Sequence, residues 1–263
     1  MHGRGSGSPQ MGFGPPVTPD IVKYLLIANL GAYMASYLMP GLYEYGAVRP
    51  ALVWQGGYIW QPFTYMWLHS KASLLHLLMN MFVLWMFGSQ VALAWGAKRF
   101  LRYYLLCGFG AGAIIATWPY IAVALGLVDP ISLAIPTVGA SGAIYGVMLA
   151  YSLTWPDRTI MLIFPPVAFR AIWLIPLLFF MTLAFGGGNI SHIGHLGGVL
   201  VGWLYMRRRG DAGGALTVKQ LRNRWKRYRM RQKLRAVRYE DFDQRRRRDD
   251  EARRRRDDER RLH

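Results

Sequence analysis

Five polar side chains stand inside long apolar stretches and could do chemistry: His76, Asn80, Ser141, His192 and His195. Polar groups at membrane depth are costly, and they mark either function or hydrogen bonding between helices. Ser141 lies in Val138-Gly139-Ala140-Ser141-Gly142-Ala143-Ile144-Tyr145-Gly146, where a loop gives way to a helix. A nucleophile at such a junction has small neighbours that admit a substrate backbone. The open N–H groups of the first helical turn can also stabilise an oxyanion. Packing accounts for the same residues, since Gly142 and Gly146 make a small-residue pair. His195 follows Ser191-His192-Ile193-Gly194, and Gly194, Gly198 and Gly202 recur every four residues. That stripe lets another helix approach closely, so a neutral imidazole beside it can serve a facing serine as base. His76 and Asn80, four apart, share one helix face. Chemistry and interhelical packing explain that pair equally well.

Metal chemistry fits less well. Metal or haem ligation is the rival use of His192 and His195, but no Asp or Glu lies in the last four apolar segments to complete a hard-metal site. There is no His-Glu-x-x-His motif for a zinc protease. No intramembrane aspartate pair offers an aspartyl mechanism. What remains is a serine, a histidine on a glycine-striped helix and a His/Asn pair on a third helix. These are the parts of a serine hydrolase without a triad acid, with burial orienting the imidazole in place of an Asp.

The elements that must hold these residues are membrane helices. A span needs roughly 20 apolar residues, and six candidates occur: Ile21–Met39, Leu74–Leu93, Phe100–Ala124, Ser141–Leu153, Ala171–Phe185 and His192–Met206. The fourth and sixth are short for lone spans, which suits helices buried among neighbours. The expected fold is all-α and polytopic, a six-transmembrane-helix bundle over residues 21–206. It is preceded by a flexible leader over 1–20 and followed by a basic tail over 207–263.

Charge supports that division. The 263 residues carry 32 Lys+Arg against 14 Asp+Glu, for +18. Residues 1–206 hold 9 basic and 4 acidic groups, and residues 207–263 hold 23 and 10. Soluble domains average about 25% charged residues, so an ordinary cytosolic enzyme is excluded. Lys98, Arg99, Arg102, Arg158, Arg170 and the tail fall on one side of the bundle. By the positive-inside rule both termini are cytoplasmic, with Arg49 and Lys71 on the opposite side. The connection over residues 40–70 is rich in Trp and Tyr, which suits the membrane interface. In the tail, Arg245–Ala252 is nearly repeated by Arg253–Arg260. Its basic stretch with Trp225 and Tyr228 fits anionic lipid headgroups better than nucleic acid, and no nucleic-acid partner is expected. Cys107 is the single cysteine, so no internal disulfide forms.

Three motifs in order resemble the rhomboid family of intramembrane serine proteases. Gly139-Ala140-Ser141-Gly142 is similar to the family's Gly-x-Ser-Gly, and His76-Leu77-Leu78-Met79-Asn80 to its His-x-x-x-Asn. His195 with Gly198 and Gly202 is similar to its His-x-x-Gly-x-x-x-Gly. The resemblance implies a rhomboid-like bundle with Ser141 as nucleophile and His195 as general base. It implies an oxyanion hole of His76, Asn80 and the Ser141 N–H, and Tyr145 stacked on the catalytic imidazole. It further implies transmembrane protein substrates in a lipid bilayer, no cofactor and no metal. The expected location is the plasma (inner) membrane. The alternative is a non-catalytic rhomboid-like protein that binds transmembrane clients. A small transporter or channel would carry more intramembrane charge or an internal repeat. Two departures bear on the first connection rather than on the dyad. Trp60-Gln61 stands where many relatives have Trp-Arg, and Ala92 follows Gln90-Val91 where many have an acid.

Overall fold

The first helix already has the polarity of a protein surrounded by lipid. In the computed structural model, which describes residues 14–161, 167–185, 189–209 and Met230, α1 spans Asp20–Leu38. Its buried face carries Val22, Leu25, Asn29, Tyr33 and Ser36. Its exposed face carries Ile27, Leu30, Met34 and Leu38, the last 83% exposed. Polar groups turned inward and large apolar groups turned outward invert the pattern of a helix in water. Asn29 Nδ2 donates to the Leu25 carbonyl and Ser36 Oγ to the Tyr33 carbonyl, so neither donor is stranded.

Short helices then fold the first connection: α2 (Pro40–Gly46), α3 (Pro50–Trp54) and α4 (Gln61–Thr64). Each has a proline in its first turn, where a missing N–H costs nothing. Gln61, the residue that departs from the family pattern, is fully buried. Its Oε1 accepts from the Arg49 N–H at 3.0 Å, and its Nε2 donates to the Tyr45 carbonyl at 3.2 Å. Trp60 Nε1 donates to the same carbonyl at 3.0 Å. A neutral amide can bridge two backbone strands from inside, where an unpaired arginine would be costly to bury.

The second long helix is continuous from Leu74 to Trp95. It comprises α5 (Leu74–Val83), a π-helical turn over Leu84–Gly88 and α6 (Ser89–Trp95). Gly96, at φ +81°, turns the chain directly into α7 (Ala97–Ala124). After α8 (Ser141–Thr154) come two three-residue antiparallel strands, β1 (Thr159–Met161) and β2 (Ala168–Arg170), with Thr159 opposite Arg170. The chain then forms α9 (Leu174–Phe185) and α10 (Asn189–Arg208).

All six helical segments differ from sequence expectation by only a few residues at either end. The fifth starts later, because Ala171–Trp173 form a 3₁₀ turn ahead of it. The sixth is longer at both ends than His192–Met206. Among the described residues, three segments are long and apolar enough to cross a bilayer by length and composition: α1, Leu74–Trp95 and α7. The leader up to residue 13 and the tail from residue 210, apart from Met230, lie outside the described residues.

The centre of the bundle is α8. Every residue from Gly142 to Leu153 is buried, as expected of a helix apolar on all sides. Glycine contacts fix its neighbours. A Cβ at Gly198 on α10 would fall on the Gly142 carbonyl oxygen. One at Gly146 would lie 2.5 Å from Cys107 Sγ on α7 and 3.2 Å from the Gly198 carbonyl oxygen. Tyrosines close the gaps: Tyr103 OH donates to the Gly146 carbonyl at 2.7 Å and Tyr65 OH to the Gly108 carbonyl at 2.9 Å.

Candidate active site

Ser141 is the first residue of α8, and its loop is anchored from two sides. Val48 and Thr137 exchange backbone hydrogen bonds of 3.0 and 2.8 Å, and the Gly139 N–H donates to the Tyr65 carbonyl at 3.0 Å. Gly139 has φ +131°, a conformation that side chains other than glycine rarely tolerate. This turn presents the Ser141 hydroxyl toward α10, where the glycine stripe brings His195 close. Ser141 Oγ and His195 Nε2 are 2.9 Å apart. The Tyr145 ring, one turn along α8, lies parallel to the imidazole with centroids 4.1 Å apart and planes 6° apart. His195 Nδ1 is buried and has no hydrogen-bond partner among the described residues. Stacking and packing therefore hold the ring, in the position where a triad would use a carboxylate.

His76 and Asn80 come from α5. The Ser73 side chain caps this helix by accepting from the His76 N–H. A Cβ at Gly139 would lie 3.0 Å from His76 Cε1, 3.2 Å from its Nε2 and 3.8 Å from Ser141 Oγ. The His76 ring edge and the serine hydroxyl thus flank the same glycine. Asn80 is buried, and its Nδ2 donates to the His76 carbonyl at 2.7 Å. That bond uses one of two amide hydrogens and leaves the other for a ligand. His192, three residues before His195, is buried with Nδ1 unpartnered among the described residues. Gly142, Gly198 and Gly202 sit at the contacts between helices, where Gly202 faces Tyr103 OH.

Sequence reasoning missed His69. It lies in the connection between α4 and α5, fully buried, with its ring centroid 5.5 Å from that of His76. The signal was faint, because a histidine in an aromatic loop resembles an interfacial residue. Burial, and secondarily the His76 ring, pushes the His69 imidazole from 6.5 down to about 4. His69 therefore stays neutral in the fold while the unfolded chain takes up a proton near pH 6.5. Stability present above that pH is lost as the pH falls toward about 4, by on the order of 3 kcal/mol. Thermal unfolding in detergent across this range should show the loss, and His69→Phe should flatten it.

The geometry has its counterpart in known sequences: the Rhomboid domain family matches residues 56–210. The chain belongs to the rhomboid family. Rhomboid protein 1, mitochondrial, of Saccharomyces cerevisiae is 32% identical over 143 residues, covering 52% of this chain and 38% of the yeast protein. The mouse Presenilin-associated rhomboid-like protein, mitochondrial, is 34% identical over 142 residues, 52% of this chain and 35% of its own length. RHOMBOID-like protein 6, mitochondrial, of Arabidopsis thaliana is 34% identical over 166 residues, 62% and 47% of the two chains. The matches span less than half the length of these curated relatives. This rhomboid is an integral membrane protein.

Stacking gives a graded prediction for the site. Tyr145→Ala leaves the imidazole of this rhomboid free to rotate, and a 1 Å misplacement costs about 10²-fold in rate. Tyr145→Phe keeps the ring and should stay within a few-fold of wild type in kcat, with KM little changed in both. Steady-state cleavage kinetics of a transmembrane reporter measure this.

Proposed function

We propose that this rhomboid is an intramembrane serine protease that hydrolyses peptide bonds in or near transmembrane segments of membrane proteins. The observation that carries the proposal is the 2.9 Å contact between Ser141 Oγ and His195 Nε2, with the imidazole stacked on Tyr145. His195, protonated on Nδ1, accepts the Ser141 proton at Nε2 as Oγ attacks the scissile carbonyl carbon. The resulting oxyanion is met by the Ser141 N–H, His76 and the free amide hydrogen of Asn80. Collapse expels the amine, which takes the proton from His195 and leaves an acyl-enzyme on Ser141. A water then gives its proton to His195 and attacks the ester; the carboxylic acid leaves, and His195 returns the proton to Ser141 Oγ.

The substrate helix must unwind at the cut, because helical hydrogen bonds shield its carbonyls. Small or helix-breaking residues are therefore expected there. Six crossings, through α1, Leu74–Trp95 and α7 to α10, would leave the chain before α1 and after α10 on one side. Lys98, Arg99, Arg158, Arg170, Arg207 and Arg208 argue for the cytoplasmic side of a plasma or inner membrane. The basic tail is assigned to anionic lipid headgroups. The test is cleavage of transmembrane reporter peptides by the purified chain in proteoliposomes. Products whose new termini lie within or beside the reporter's apolar segment support the proposal. Intact reporters, with labelled transmembrane peptides still bound, would favour the client-binding alternative.

A further inference from the structure

A cavity of about 670 Å³ opens at the end of α1, beneath the first connection and away from the serine. Its wall includes Ala32, Met39, Leu42, Trp60, Trp67 and Leu68. The volume lies in the range of about 300–1,000 Å³ typical of ligand pockets. Most of the wall is apolar, and two of its polar groups are engaged elsewhere: Thr64 Oγ1 donates to the Gly46 carbonyl at 2.8 Å, and Trp60 Nε1 to the Tyr45 carbonyl. Such a lining suits a hydrocarbon chain better than a polar ligand.

The depth of the cavity identifies the source of that chain. α1 is long and apolar enough to span a bilayer, and the cavity begins at its last turns and continues into α2. The end of a spanning helix belongs near the boundary between hydrocarbon and headgroups, where Trp and Tyr concentrate. A cation lies on two aromatic rings that neighbour the cavity wall in the chain. Lys71 Nζ lies 5.4 Å from the centre of the Tyr37 ring and 5.5 Å from that of Tyr43, and Tyr37 OH donates to the Lys71 carbonyl. Lys71 follows Leu68 of the cavity wall by three residues, while Tyr37 and Tyr43 bracket Met39 and Leu42. The nearest acid in sequence, Glu44 on α2, forms no ion pair with Lys71 among the described residues.

We propose that this cavity is a specific phospholipid site. One acyl chain fills the apolar volume, and the phosphate of an anionic headgroup pairs with Lys71. The aromatic rings beside the ammonium hold it by cation–π attraction without neutralising its charge. An anionic lipid is preferred over a zwitterionic one, whose own choline competes for the phosphate. The site is separate from the basic tail and does not depend on the protease assignment.

Native mass spectrometry of the purified full chain from detergent micelles, with phosphatidylglycerol or phosphatidylcholine added, tests the proposal. Wild type should retain one phosphatidylglycerol under activation that strips phosphatidylcholine. Ala32→Phe, which fills the cavity, and Lys71→Gln, which removes the charge, should each lose that lipid. Lys71→Arg should keep it. Lipid held by the tail is equal in all four proteins and cancels. Retention of phosphatidylglycerol unchanged in Ala32→Phe and Lys71→Gln would overturn the proposal, as would equal retention of phosphatidylcholine by wild type.

Discussion

Ser141→Ala should abolish peptide hydrolysis while leaving the fold and client binding intact. The loss expected from removing the nucleophile of a Ser-His pair is about 10⁴- to 10⁶-fold in kcat. His195→Ala should cost nearly as much, because a hydroxyl without its base is a poor nucleophile at neutral pH. The double variant should be no worse than either single one, since the two groups act as a unit. The hydroxyl contributes little to packing: Ser141 is half-buried, and its one side-chain hydrogen bond among the described residues is to His195. Thermal stability of Ser141→Ala should thus stay close to wild type. Single-turnover cleavage kinetics alongside thermal unfolding separate the two effects.

Gly198→Val should do the opposite, destroying activity by breaking the fold. A Cβ at Gly198 would occupy the position of the Gly142 carbonyl oxygen. That oxygen belongs to the backbone of α8 one residue past the serine, so it cannot swing aside. The helices carrying Ser141 and His195 must separate instead. Overpacking costs about 1–3 kcal/mol where side chains can yield, and more where they cannot, so a loss above roughly 3 kcal/mol is expected. Gly194→Ala meets the Ile115 Cδ1 tip at 2.7 Å, a group that can rotate, and should cost far less. The buried Cys107 thiol offers the readout. It lies against Gly146 and Gly202, so a thiol-reactive dye labels it only as α7, α8 and α10 come apart. The temperature of labelling should fall sharply in Gly198→Val and slightly in Gly194→Ala.

Much of this site is legible in the sequence because a membrane interior makes polar residues conspicuous. Ser141, His195, His76 and Asn80 stand out against segments that lack charge, and glycines spaced by four announce the close approach of α8 and α10. Helix bounds were readable within a few residues for the same reason, since a change from apolar to charged or proline-rich sequence marks where a helix leaves its surroundings. Features without a period or a charge contrast stayed hidden. The π turn over Leu84–Gly88 adds no residue type that marks it. Strands of three residues, β1 and β2, are too short to show alternation. His69 gave no sign of being buried, because loop residues are ordinarily exposed and only the folded first connection covers it.

Gln61 shows how a fold accommodates a departure from a family pattern. In the fold the glutamine bridges Arg49 and Tyr45 from a fully buried position. Its two amide functions replace one charged fork with neutral bonds that need no counter-ion. Gln90 of α6, two residues before Ala92, the position where many relatives have an acid, similarly accepts from Arg158.

Proteolysis of this kind requires Ser141 to be the activated nucleophile, and covalent capture reads that property at the residue itself. The purified chain should be treated with a fluorophosphonate, digested, and the modified residue located by mass spectrometry. A single phosphonylated residue at Ser141, lost in His195→Ala, is the predicted result. Absence of modification at Ser141 in folded protein, or equal labelling of Ser141 after His195→Ala, would contradict it.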